Sequence, residues 1–275
     1  MYYISNVFTR LYYVHTSHLT CFDFVSTWFF PEDYKYEEIV SDFISIMYPS
    51  EAVVRFDEND VKLKHPFSMV LAGGRRTGKT QLIKSVIVER ERIITLPIKH
   101  VIWFYASEQE DVFNEIKESM GNEHVEFVKG LPSNTNIEEA YLTGRHGTKL
   151  VVIDDLMSEA NTRQDVNHLF TRGRHLDTSV VFLVQNFHNQ GKYMRENTLN
   201  SDYVALFRNP RDATIVSYLG RQMGQMKFVN EAFELATKGK PFSYLLIDLR
   251  SDTNDKLRFR NDILATYPRF FVETL

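Results

Sequence analysis

The chain has 275 residues, of which 43% are hydrophobic and 25% charged, and its formal net charge at pH 7 is −4. This length allows a sizeable core, and the charge balance excludes a protein that binds nucleic acid through a generally basic surface. The single cysteine, Cys21, excludes an intramolecular disulfide and fits a reducing compartment. Because no uncharged apolar run reaches transmembrane length, we expect an intracellular protein with no membrane partner.

Residues 1–60 carry no chemical motif. Apolar residues recur at helical spacing from Tyr36 to Met47, which predicts one amphipathic helix. We predict that residues 1–60 form an N-terminal extension, which caps the core or contacts a partner. Residues 61–275 are predicted to form one domain.

From residue 61 onward, predicted buried strands alternate with predicted helices. The strands are predicted at 67–72, 101–105, 125–128, 148–153, 179–184, 203–207 and 242–249. The helices are predicted at 81–92, 112–120, 159–172, 212–222 and 228–237. Strands separated by helices pair in parallel and are covered on both faces. The predicted fold class is therefore α/β, with a mostly parallel central sheet flanked by helices.

The first strand of this domain ends in a phosphate-binding loop of the pattern G-x-x-x-x-G-K-[ST]. Its residues, with the first residue of the predicted helix, are Gly73, Gly74, Arg75, Arg76, Thr77, Gly78, Lys79, Thr80 and Gln81. The glycines allow the loop amides to approach a phosphate closely. Lys79 would place a charge on the β and γ oxygens, and Thr80 would offer a hydroxyl to Mg²⁺. The loop therefore predicts that the chain binds a nucleoside triphosphate together with Mg²⁺.

A second chemical site follows the strand at 148–153, where four apolar residues end in Asp154 and Asp155. This is the Walker B pattern, in which the first carboxylate reaches the Mg²⁺ shell. We assign Asp154 to Mg²⁺, and Asp155 to orienting or deprotonating the attacking water. A turn that ends the strand is the structural alternative, since Asp is common there.

The next strand ends in two amides, Gln185 and Asn186. We predict that one of them, Gln185 first, senses the γ-phosphate between the loop and the acidic strand; capping of the following segment is the alternative. A polar sensor with a carboxylate at the water position is typical of ATPases. The sequence also lacks the guanine-reading Asn-Lys-x-Asp, so the predicted nucleotide is ATP.

Two arginines precede the sensor strand, Arg172 and Arg174. Either could point into a neighbouring subunit's ATP and stabilise the charge of the transition state, with Arg174 as our first choice. Chain order places this loop at the amino end of the strands, away from its own phosphate loop. A solvated loop base is the alternative for each.

Candidate nucleic-acid contacts lie just after the sensor strand, where Lys192 and Arg195 flank Tyr193. Mixed basic and aromatic residues suit a nucleic-acid backbone, although a joint between loop and helix has the same composition. A second basic cluster, Lys256, Arg258 and Arg260, is the next choice.

Taken together, these motifs resemble the genome-packaging ATPases of DNA viruses and Polinton/Maverick-type elements, within the FtsK/HerA superfamily. The resemblance rests on 73–80, on 151–155 and above all on 170–175 leading into 181–186, and it continues at 199–201, 207–212 and 244–249. Asp155 departs from the glutamate common at the water position of the wider superfamily. Residues 1–60 have no recognisable counterpart.

The resemblance implies an ASCE-type P-loop NTPase that forms a homo-oligomeric ring and drives double-stranded DNA into a viral capsid. Its implied partners are DNA and a capsid or portal protein, and its implied location is the host nucleus or cytoplasm, or the virion. Two other functions stay open: another ring ATPase on nucleic acid, such as a helicase or DNA pump, and an ATP-gated DNA- or capsid-binding protein with no turnover.

Overall fold

The computed structural model describes residues 2–5, 11–14, 53–55, 57–133, 135–185, 196–197, 199–210, 214–239, 241–265 and 268–273. These residues divide into two compact units. The first comprises Met1–Val61 with Val272–Leu275, and the second comprises Lys62–Phe271. The predicted division into residues 1–60 and 61–275 stays a prediction.

The described residues of the first unit include three short antiparallel strands: β1 (Tyr2–Ser5), β2 (Leu11–Val14) and β3 (Val53–Arg55). Strand β1 lies in the middle, paired with β2 on one side and β3 on the other. A 3-10 turn, Glu58–Asp60, follows, and the Asp57 side chain caps it by accepting a hydrogen bond from the Asn59 amide. The predicted helix from Tyr36 to Met47 lies outside the described residues.

The second unit is built on a nine-stranded sheet in the order β12-β11-β10-β9-β4-β8-β7-β5-β6. Its strands are β4 (Ser68–Ala72), β5 (His100–Tyr105), β6 (Val125–Lys129), β7 (Lys149–Asp154), β8 (Thr178–Val184), β9 (Tyr203–Phe207), β10 (Tyr244–Asp248), β11 (Phe259–Asn261) and β12 (Arg269–Phe271). Strands β9, β4, β8, β7, β5 and β6 are parallel. Strands β10, β11 and β12 extend the sheet in antiparallel fashion. The predicted α/β class with a mostly parallel sheet is confirmed.

Helices cover the sheet as the sequence predicts, with bounds that differ from the predicted ones by a few residues. They are α1 (Lys79–Val88), α2 (Arg90–Ile93), α3 (Glu110–Met120), α4 (Met157–Ala160), α5 (Gln164–Arg172), α6 (Thr214–Gln222) and α7 (Met226–Thr237). The predicted helix 159–172 is wrong in one respect, because Arg163 is extended (φ −103°, ψ 119°) and separates α4 from α5. In the part of the chain that the structure describes, every helix is too short or too polar to cross a bilayer.

Burial in the core explains why the apolar segments of the sequence form strands. Every residue of β4, β7, β8, β9 and β10 is buried, as expected for strands covered on both faces. Helix α1 packs its apolar face against the sheet through Leu82, Ile83, Val86 and Ile87. This packing fixes the loop between β4 and α1 at the carboxyl end of β4, the central strand of the sheet.

Candidate functional site

The candidate site lies at the edge of the sheet where the parallel strands end. Ala72, the last residue of β4, is in register with Val184 of β8 and Leu206 of β9. Asp154, the last residue of β7, is in register with Leu183 of β8. Because carboxyl ends of parallel strands share one edge, the residues that follow β4, β7 and β8 are brought together, as the sequence predicts.

The phosphate loop is closed by hydrogen bonds of its own residues. Lys79 Nζ donates to the carbonyl oxygens of Gly73 at 2.7 Å and Gly74 at 2.8 Å. Thr77 Oγ1 also donates to the Gly74 oxygen, at 2.9 Å. Gly78 has φ 95°, a conformation that favours glycine, and α1 begins directly after it. The loop therefore has the curvature that lets amides face an anion.

Burial lowers the pKa of Lys79, while the nearby charges of Asp154 and Asp155 act in the opposite direction. The side chain is 9% exposed. An ammonium held at the base of a loop by backbone oxygens is placed to serve a ligand rather than bulk solvent.

Thr80 and Asp154 form the candidate metal pair. Thr80 Oγ1 donates to Asp154 Oδ2 at 3.3 Å. Burial raises the pKa of Asp154 to about 6, and the hydrogen bond from Thr80 opposes that rise. A hydroxyl and a carboxylate are hard oxygen ligands of the type that Mg²⁺ takes alongside nucleotide phosphates. The donor set fits this ion.

Asp155 and Gln185 form a second pair beside it. Gln185 Nε2 donates to Asp155 Oδ1, and Gln185 Oε1 accepts from Arg75 Nε at 3.1 Å. Asp155 is exposed and has φ 58°, which directs it away from the buried strand. A row of hydrogen bonds thus joins the phosphate loop, the sensor amide and the carboxylate predicted to act on water.

The remaining loop residues predicted to bind nucleotide are also at this edge. Arg76 has φ 60° and lines a cavity together with Thr77. Gln81 is exposed in the first turn of α1. These positions are compatible with contact to a nucleotide, and their individual roles stay predictions.

Two residues at this edge carry no role in the sequence analysis. Gln109, in the loop after β5, places Nε2 3.5 Å from Asp154 Oδ2. Asn209, just after β9, donates through Nδ2 to the Gln185 carbonyl oxygen at 3.1 Å. The signal that could have identified both is their position, since each follows the end of a parallel strand.

Arg174 lies at the opposite edge of the sheet. Its guanidinium forms an ion pair with Asp202, and Asp202 Oδ2 accepts from the backbone amide of Ser68, the first residue of β4, at 2.8 Å. The phosphate loop and Arg174 are therefore at opposite ends of the strands, as chain order predicts. Arg172 is exposed at the end of α5. Whether either arginine acts on a neighbouring subunit stays a prediction.

The structure describes only one of the two groups of residues that are predicted to contact nucleic acid. Lys192, Tyr193 and Arg195, like Asn186, lie outside the described residues. The second basic cluster is wrong as a surface for DNA, because Arg260 is 0% exposed. Its neighbour Arg258 donates through Nη1 to the carbonyl oxygens of Asp248, at 2.8 Å, and Arg250, at 3.1 Å.

A protein-family model described as "Poxvirus A32 protein" matches residues 53–202, which is more than half of the chain. This match confirms the viral resemblance inferred from the motifs. No curated protein sequence matches the chain.

Several solved structures are similar in fold. The genome packaging NTPase B204 from Sulfolobus turreted icosahedral virus 2, in complex with ATP-gammaS, has 16% sequence identity and a TM-score of 0.44, covering 71% of this chain and 95% of that chain. EssC (ATPases 2 and 3) from Geobacillus thermodenitrificans has 10% identity and a TM-score of 0.46, covering 72% of this chain and 39% of that one. The KaiC-like protein PH0186 from Pyrococcus horikoshii OT3 has 11% identity and a TM-score of 0.39, covering 72% and 85%.

Proposed function

The chain belongs to the poxvirus A32 protein family, and from that premise we propose that it is a viral genome-packaging ATPase. It hydrolyses ATP with Mg²⁺ and uses the energy to move double-stranded DNA into a viral capsid. Residues 61–275 form the ATPase domain, and residues 1–60 form an extension that caps it or contacts a partner.

One observation carries this proposal: the parts needed for hydrolysis, as well as those needed for binding, meet at one edge of the sheet. Lys79 and the loop amides bind phosphates, and the Thr80–Asp154 pair lies beside them. Asp155, paired with Gln185, adds a carboxylate that a binding protein would not need. An acceptor at this position orients or deprotonates the attacking water.

Thr80 and Asp154 would hold Mg²⁺, which supplies neutralisation of the charge that develops on the β and γ oxygens. Lys79 binds the same oxygens from the loop side. Gln185 reports the state of the γ-phosphate, because its side chain bonds both Arg75 of the loop and Asp155. Binding and hydrolysis are in this way linked through one amide.

The proposed packaging function implies three kinds of partner for the chain. Double-stranded DNA is the substrate that moves, a capsid or portal protein anchors the motor, and copies of the chain form a ring. The protein acts in the nucleus or cytoplasm of the infected cell, or in the virion. Lys192, Tyr193 and Arg195 are the proposed DNA contacts.

The test is ATP hydrolysis by the purified chain with Mg²⁺, with and without double-stranded DNA, beside the variant Lys79→Ala. We expect hydrolysis that DNA stimulates, and a folded Lys79→Ala protein that neither binds nor hydrolyses ATP. Full hydrolysis by a well-folded Lys79→Ala protein would refute the ATPase assignment.

Two further measurements on the same protein, ATP binding and separation of DNA strands, distinguish the two other functions. DNA-dependent ATP binding with no turnover would identify an ATP-gated binding protein. Turnover accompanied by separation of DNA strands would identify a helicase. The carboxylate–amide pair at Asp155 and Gln185 favours turnover over binding alone.

A further inference from the structure

A cavity of about 410 Å³ adjoins the phosphate loop on the side away from Asp154 and Gln185. The loop contributes Arg76 and Thr77 to its wall, and β9 contributes Arg208, just past its last residue. The opposite wall is the turn between α7 and β10, including Phe242. Its volume lies within the range of small-molecule sites, roughly 300–1,000 Å³.

The register of the sheet explains why this turn reaches the phosphate loop. Strand β10 runs antiparallel to β9, with Tyr244 opposite Phe207, so β10 begins where β9 ends. The end of β9 in turn lies beside the end of β4, with Leu206 opposite Ala72. The turn before β10 is therefore held at the same edge as the loop after β4.

Phe242 is unusual in both exposure and backbone. Its side chain is 66% exposed, the highest value among the exposed large hydrophobic residues of the described chain. Its φ is 62°, a left-handed conformation that is an outlier for a bulky residue. Strained residues of this type concentrate at ligand sites. Neither property is explained by packing in the core.

Phe242 also lies directly against the phosphate loop. A Cβ atom added at Gly78 would stand 3.2 Å from Phe242 Cβ and 3.3 Å from its Cδ1. The aromatic ring is thus within contact distance of the loop residue just before Lys79, and it lines the cavity. A planar group attached to phosphates in the loop would be within reach of the ring.

We propose that this cavity binds the base and sugar of the nucleotide, with Phe242 as the surface on which the base stacks. The inference rests on the proposed function, because it names the second half of the same ligand. Arg76 and Arg208 border the cavity with cationic groups that can contact the sugar–phosphate end or the face of the base. Stacking uses the π-face that every base has, so Phe242 supplies affinity more than base selectivity.

The experiment compares two ligands that share phosphates and differ in the base. Affinities of MgATP and of magnesium tripolyphosphate are measured by calorimetry for the wild-type chain and for Phe242→Ala. We expect Phe242→Ala to bind MgATP about tenfold more weakly, as typical for loss of one stacked base, and to bind tripolyphosphate unchanged. Phe242→Trp should restore the affinity for MgATP.

A matched control is Leu96→Ala, which removes another exposed apolar side chain, 52% exposed, from the loop before β5. It should leave both affinities unchanged. Equal weakening of both ligands by Phe242→Ala would overturn the base site, because it would show a distorted phosphate loop. Unchanged MgATP affinity in Phe242→Ala would overturn it as well.

Failure of the proposed function would look different. A wild-type chain that binds neither MgATP nor tripolyphosphate would overturn the ATPase assignment and the base site with it. A wild-type chain that binds both, with no difference between Phe242→Ala and Leu96→Ala, would overturn the base site alone.

Discussion

Two adjacent carboxylates at the end of β7 have different environments. Asp154 is 7% exposed, and burial raises its pKa to about 6. Asp155 is exposed, and its left-handed backbone turns it towards Gln185. A buried carboxylate gains most from a bound cation, because the cation offsets the lost solvation of the charge. This difference supports the assignment of Asp154 to the metal and Asp155 to water.

Separate measurements of binding and turnover test this assignment. Asp155→Asn should bind MgATP normally, because the amide keeps an oxygen that accepts from Gln185, but should hydrolyse it about 10²–10⁴-fold more slowly, the typical contribution of a general base. Asp154→Asn should need a higher Mg²⁺ concentration for half-maximal ATP binding. Loss of binding in Asp155→Asn, with a normal Mg²⁺ requirement in Asp154→Asn, would reverse the two roles.

At the scale of elements, the phosphate loop is packed against the end of β9. A Cβ atom at Gly73 would stand 2.6 Å from Phe207 Cβ and 2.9 Å from Thr77 Oγ1. One residue further, a Cβ at Gly74 would have its nearest neighbour, Asn209 Oδ1, at 3.4 Å. The first glycine is required by close packing, and the second has room for a methyl group.

This contrast predicts opposite results for two conservative substitutions. Gly73→Ala should lower the free energy of unfolding by about 1–3 kcal/mol, as overpacking typically does, and should weaken ATP binding because the loop must shift. Gly74→Ala should change the free energy of unfolding by less than about 0.5 kcal/mol, the usual effect of a tolerated substitution. Urea denaturation measures the free energy of unfolding of each variant. Equal stability of the two would show that Phe207 can move aside.

Elements with local signals were predictable from the sequence. Buried apolar runs ending in a motif predicted β4, β7 and β8, and with them Lys79, Asp154, Asp155 and Gln185 at one edge. Strands β11 and β12 were less accessible, because each is only three residues long and such a short run shows no clear periodicity. Arg260 shows the consequence: a charged residue suggests surface, but β11 directs it into the interior, 4.0 Å from Asp248.

The neighbours of the phosphate loop show the same limit. Phe242 and Arg208 meet Arg76 and Thr77 around one cavity only because β10 starts beside the end of β9. Such contacts depend on which strands pair, and local periodicity does not show that β4 lies beside β9, more than a hundred residues later in the chain. Asn209 belongs to a segment that carries the family resemblance, but its bond to the Gln185 carbonyl also depends on that register.

For the molecule as a whole, the two ends of the sheet carry complementary groups. The phosphate loop lies at one end, and Arg174 lies at the other, with its side chain 63% exposed in an ion pair with Asp202. Asp202 is only 8% exposed, but it also accepts hydrogen bonds from the amide and the hydroxyl of Ser68, so its carboxylate keeps partners when Arg174 leaves. In a ring, one copy's Arg174 could then meet the next copy's nucleotide.

Arg174→Ala should keep its fold and its ATP affinity and lose hydrolysis about 10³–10⁵-fold, the typical contribution of an arginine finger. Mixing it with Lys79→Ala should restore part of the activity, because each variant supplies the group that the other lacks. Arg221→Ala, which removes an exposed arginine at the end of α6, is the matched control. Full specific activity of a dilute monomer, or no rescue in the mixture, would contradict action between subunits.

DNA binding should depend on a small group of basic residues, because the chain as a whole carries a net charge of −4. Charge reversal at Lys192 and Arg195 should flatten the dependence of the DNA affinity on salt, by about one unit of slope for each phosphate that is no longer neutralised, and should reduce the stimulation of ATP hydrolysis by DNA. Binding titrations at several salt concentrations measure the slope. Charge reversal at Arg221, an exposed residue of α6, should leave the slope unchanged. An unchanged slope after reversal at Lys192 and Arg195 would place the DNA-binding residues elsewhere.

The pairing of β4 on both sides has a mechanical consequence. From Met69 to Ala72 the strand is bonded to β8 and to β9 in parallel. A pull along this strand loads both ladders in shear, so their hydrogen bonds resist together instead of opening one after another. Force that arises at the phosphate loop is therefore passed into the middle of the sheet, through a strand whose two ladders hold it against unzipping from one end.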